Sequence, residues 1–96
     1  MADKKQQATW KVLFSGRVQG VGFRYFVNQT VSDYPIVGHV CNLPDGSVEM
    51  VAIGCPSILD QVVQLVRLHS PGHVDSVYIN RSWDSPIEYD AFSIRR

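Results

Sequence analysis

The chain has 96 residues, and its nine lysines and arginines balance nine aspartates and glutamates to a formal net charge of zero. That length suits one domain burying a little under ~70% of its unfolded surface. The even charge excludes the broad basic surface that nucleic-acid or membrane-surface binding requires, so any anion site has to be local. The opening Met1-Ala2-Asp3-Lys4-Lys5-Gln6-Gln7 is polar, without the apolar centre of a signal peptide or anchor. No apolar run approaches the ~20 residues that span a bilayer. The expectation is a cytoplasmic protein with a flexible tail over residues 1–8 and one domain over residues 9–96.

Thr9 to Phe14 is β-branched and aromatic enough for a first strand. From Phe23 the apolar residues Phe23, Phe26, Val27, Val31 and Tyr34 recur at helical spacing, and Pro35 is expected to end that helix. Ile36 to Asn42 and Ser47 to Ile53 read as two further strands around the turn Leu43-Pro44-Asp45-Gly46. With Pro44-Asp45-Gly46 as the loop, Asn42 faces Val48, Val40 faces Met50 and Gly38 faces Ala52. Alternation then sets His39 and Cys41 on the other face, beside Val51 and Glu49. Pro56 to His69 reads as a second helix, closed by Pro71-Gly72. Val74 to Trp83 is expected as a strand, Asp84 to Asp90 as a polar loop and Ala91 to Ile94 as a short terminal strand. The order is that of an α+β, ferredoxin-like sandwich (βαββαβ): an antiparallel sheet with two helices on one face. Right-handed crossovers put the first and third strands at its centre.

Between the first strand and the first helix lies Gly16-Arg17-Val18-Gln19-Gly20-Val21-Gly22-Phe23-Arg24. Three glycines let the backbone turn tightly and leave its amides uncovered, and a helix N-terminus adds unsatisfied N–H groups. Together they form a cradle for an anion. Arg24 falls in the first helical turn, where the helix dipole disfavours a cation unless an anion sits between the two. The spacing matches neither the Walker nor the dinucleotide loop, and a tight turn with a solvated Arg24 fits these residues equally well. Arg17 could steer anions or simply be a solvated cation. Asn42 closes the second strand, which runs parallel to the first, so both can meet at one end of the sheet.

Those residues resemble the acylphosphatase family. Gly16 to Arg24 is similar to its first signature almost letter for letter. Gly38-His39-Val40-Cys41-Asn42, Gly46-Ser47-Val48 and Gly54 resemble its second. The resemblance extends to Phe92-Ser93-Ile94-Arg95. It implies hydrolysis of carboxyl–phosphate anhydrides to a carboxylate and inorganic phosphate, by a monomer without metal or organic cofactor. The expected partners are a small acyl phosphate and the phosphate product, with no nucleic acid and no membrane. It also implies that Arg24 binds phosphate, that Asn42 positions water, and that Gly16, Arg17, Val18, Gln19, Gly20, Val21 and Gly22 form the phosphate loop. The chain departs from the family pattern at His39, usually aromatic, and at Cys41, often basic. Related domains also occur inside larger carbamoyl-transfer proteins, and ferredoxin-like sheets serve as binding modules. Neutral charge and the lack of aromatic–basic interleaving weigh against an RNA-binding role.

The hairpin pairing places Cys55 roughly 20 Å along the third strand from Cys41's partner Glu49, at ~3.3 Å per residue, so free thiols are expected. His39, His69 and His73 show no metal-ligand spacing with the cysteines, and no metal site is expected. Trp10, Tyr25 and Trp83 read as packing residues. Asp45 and Glu49 are expected to be too exposed for paired-carboxylate chemistry.

Overall fold

The computed structural model describes residues 7–83 and 88–95. Strands β1 (Ala8–Arg17), β2 (Val37–Asn42), β3 (Val48–Gly54), β4 (His73–Ser82) and β5 (Phe92–Arg95) form one sheet in the order β4-β1-β3-β2-β5. Helices α1 (Phe23–Val31) and α2 (Pro56–His69) provide the crossovers. The four longer strands pair antiparallel, as the βαββαβ reading requires. β5 pairs parallel with β2, so the sheet is mixed rather than wholly antiparallel. A strand arriving beside β2 after β4 must cross the sheet, and its direction follows from that crossing.

Strand alternation decides which face is covered. Trp10, Val12 and Phe14 of β1, Val40 of β2, and Val48, Met50 and Ala52 of β3 are buried with Phe23, Val27 and Val31 of α1. Leu59, Val62, Val63 and Val66 of α2 complete that core. Phe14 and Phe23 meet edge to face at 5.2 Å, which fixes the start of α1 against the centre of the sheet. The hairpin register is the one its turn residues predict: Asn42 opposite Val48, Val40 opposite Met50 and Gly38 opposite Ala52. Gly46 takes the left-handed angle expected of it, at φ 95°.

Some boundaries differ. Ala8, assigned to the tail, is buried in β1; residues 1–6 lie outside the described residues, as do 84–87 of the expected polar loop. β1 runs on to Arg17, because a bulge at Ser15/Gly16 lets it keep pairing with β4. α1 ends at Val31, and the next residues tighten into i→i+3 turns, Asp33 N–H to Thr30 O (3.4 Å) and Tyr34 N–H to Val31 O (2.9 Å). Tyr25 and Trp83 are 64% and 67% exposed and do not pack inward, whereas Trp10 is buried as expected. Cys41 and Cys55 are both free thiols.

Candidate active site

The glycine-rich segment divides into two parts with different work. Gly16 and Arg17 still belong to β1, opposite Val74 and His73 of β4. At φ 127°, a Cβ on Gly16 would lie 2.4 Å from His73 O and 2.7 Å from Asp75 N, so this glycine serves strand contact. Arg17 is exposed. The loop proper is Val18 to Gly22. Gln19 Nε2 donates to both Leu43 O and Ser47 O at 2.8 Å, stapling the loop to the hairpin between β2 and β3. Gly20 and Gly22 have φ of 73° and 85°, with open space where a Cβ would project.

Gly22 is the N-cap of α1, with no side-chain cap and no acidic residue in the first turn. The positive end of the helix therefore has neither a capping side chain nor a first-turn carboxylate among the described residues. Arg24 follows one residue into the helix. Its Nη1 donates to Arg95 O at 3.0 Å, which ties the guanidinium to the end of β5. Asn42, at the end of β2, turns to the same end of the sheet. Its Oδ1 is buried and without a hydrogen-bond partner, the one such side-chain atom among the described residues.

Gly20, Gly22, Arg24 and Asn42 line one cleft of about 320 Å³, with Val18, Phe23 and the exposed side chains of Tyr25 and Ile94. The cleft thus brings together Arg24, two glycines in left-handed conformation, an uncapped helix start and Asn42, whose buried Oδ1 has no partner among the described residues. Among the sequence-named loop residues, Gly16, Arg17, Gln19 and Val21 do not line it. Val21 packs against the core. His39 and Cys41 lie on the opposite face of the sheet, beside Val51 and Glu49, as strand parity requires. Four contributors lie outside the sequence-named site: Phe23, Tyr25 and Ile94 at the cleft, and the Arg95 carbonyl. No side-chain pattern marks a carbonyl, and its partner stands 71 residues away.

The acylphosphatase family model matches residues 10–94 of this chain. The chain belongs to the acylphosphatase family. Its members are hydrolases of acyl phosphates, and this chain is an enzyme of that class. An acylphosphatase of Paenarthrobacter aurescens is 39% identical over 95 residues, 98% of each chain. One from Methanospirillum hungatei is 36% identical over 85 residues, covering 88% of this chain and 93% of its own length. The crystal structure of acylphosphatase from Bacillus subtilis superposes with a TM-score of 0.87 at 34% identity, over 93% of this chain and 99% of that one. None of the helices among the described residues is long and apolar enough to cross a membrane.

Proposed function

We propose that the cleft hydrolyses acyl phosphates by holding the phosphoryl group between Arg24 and the amides at the start of α1, while Asn42 orients the attacking water. The observation that carries this reading is that Asn42, whose Oδ1 is buried and unpartnered, lines the same cleft as Arg24. A buried acceptor left unmade costs about 1–3 kcal/mol, so its position is best explained by a donor that arrives with the reaction. A water is such a donor.

An acyl phosphate is an anhydride with a good carboxylate leaving group, so positioning and electrostatic stabilisation dominate. The water oxygen bonds to phosphorus as the phosphorus–oxygen bond to the acyl group breaks. The bonding electrons leave with the carboxylate, and the water's proton passes to a phosphoryl oxygen. Arg24 forks N–H donors onto the charge that spreads over the phosphoryl oxygens, and the Gly20–Gly22 amides meet the rest. Neither Arg24 nor Asn42 gains or loses a proton.

Phosphate release from benzoyl phosphate, with inorganic phosphate as inhibitor, tests the division of labour. Asn42→Ala should keep phosphate inhibition and lose turnover by ~100-fold, the order expected for a misplaced reactant. Normal turnover with weakened phosphate inhibition would move Asn42 into the binding set and leave the water unassigned.

A further inference from the structure

We propose that His39, Cys41 and Glu49 form a binding site for a borderline-soft divalent cation such as Zn²⁺, on the face of the sheet opposite the helices. β2 and β3 pair so that Cys41 stands directly opposite Glu49, with His39 two residues along the same face. The three ligand atoms all lie within 4.8 Å of one another. His39 Nε2 is 3.7 Å from Glu49 Oε1, and Cys41 Sγ is 3.9 Å from that same oxygen. Bond lengths of about 2.0–2.1 Å to nitrogen or oxygen and about 2.3 Å to sulfur put the donors of a tetrahedral zinc centre roughly 3.3–3.6 Å apart. Small side-chain rotations close that difference. One nitrogen, one sulfur and one carboxylate oxygen are the donors zinc takes.

A second contact points the same way. His39 Nδ1 lies 2.9 Å from the Tyr89 hydroxyl. With the proton on Nδ1 donated to that oxygen, Nε2 presents its lone pair to Glu49 and Cys41. A ligating histidine is usually held by such an outer hydrogen bond, which fixes both tautomer and ring orientation. Lys11 Nζ meets the other carboxylate oxygen, Oε2, at 4.0 Å and leaves Oε1 to the cluster. Two of the three ligands stand where the chain departs from the family pattern. The linear spacing of histidines and cysteines could not reveal the group, because the register of β2 on β3 assembles it.

The test uses the reduced, untagged full chain titrated with Co²⁺ at neutral pH. One ion should bind per chain, with a thiolate-to-cobalt charge-transfer band and the visible bands of a four-coordinate centre, displaced by Zn²⁺. Cys41→Ser should abolish the charge-transfer band, and Cys55→Ser should retain it. Tyr89→Phe should weaken binding by about tenfold, and Glu49→Gln by more. Benzoyl phosphate turnover should be unchanged in Cys41→Ser, which reports that the variant is folded. Absence of the band in the parent, or its survival in Cys41→Ser, would overturn the assignment. So would binding confined to the exposed pair His73 and Asp75, which brings no sulfur.

Discussion

Arg24 stands where the helix dipole disfavours it, and among the described residues its hydrogen bond to Arg95 O leaves most of its five donors uncommitted. Charge-assisted hydrogen bonds contribute roughly 1.5–3 kcal/mol each, so Arg24→Ala should weaken inorganic phosphate binding about tenfold or more, read as an inhibition constant. Arg24→Lys should not restore it, because an ammonium cannot fork onto two oxygens. Phosphate binding as tight as the parent's in Arg24→Ala would remove Arg24 from the cradle. His39 makes a contrasting case. It faces Glu49, Tyr89, Lys11 and Arg95, away from the cleft, so turnover should run nearly flat from about pH 5.5 to 7.5, and parent and His39→Gln should superimpose. Its effect belongs to stability. The folded pKa lies below the ordinary 6.5, so the unfolded chain takes up the proton first. Stability is then fully present above about pH 6.5 and falls as the pH drops toward the folded pKa. Urea midpoints compared between pH 7 and pH 5.5 should fall more for the parent than for His39→Gln. Strand parity made the orientation of His39, Cys41 and Asn42 readable from sequence. Tyr25 and Trp83 were misread because aromatic character says nothing about which face a residue occupies.

At the scale of elements, the candidate site depends on one loop that serves two masters. Its first glycine fits β1 closely against β4, and its later ones, Gly20 and Gly22, take left-handed angles at the start of α1. Gly16→Ala should therefore cost at least about 1 kcal/mol of stability, seen as a lower urea midpoint, while folded molecules keep their phosphate affinity. Gly20→Ala meets no neighbour within 4 Å and should lose only the about 1 kcal/mol of a left-handed residue. Its methyl should instead weaken phosphate binding. The reverse pattern would place the anion contact at the β1 bulge. The hairpin was legible because proline, aspartate and glycine each have a fixed place in its turn, and that fixed the register of Asn42. The bulge and the length of β1 were not. Glycine signals freedom in sequence, and only the neighbouring β4 shows whether it is used for a loop or for close approach.

Across the whole molecule, right-handed crossovers carry β1 and β3 to the centre and bring the ends of β1 and β2 together, which is why two distant motifs share a cleft. That much followed from element order. The place of β5 did not, since a four-residue strand carries too little pattern to state its partner or direction. Yet β5 supplies the carbonyl that anchors Arg24. It is an edge strand with three of its four residues exposed, held to β2 along one side. Edge segments of this kind open locally at a fraction of the global unfolding free energy. Phosphate binding and turnover should then decline at lower urea than the far-ultraviolet dichroism of α1 and α2, whereas coincident transitions would show that β5 opens only with the rest. If the two transitions separate as expected, the active arrangement is leased from a short edge strand: such an enzyme falls silent before it falls apart, and regains activity by re-seating four residues rather than by refolding.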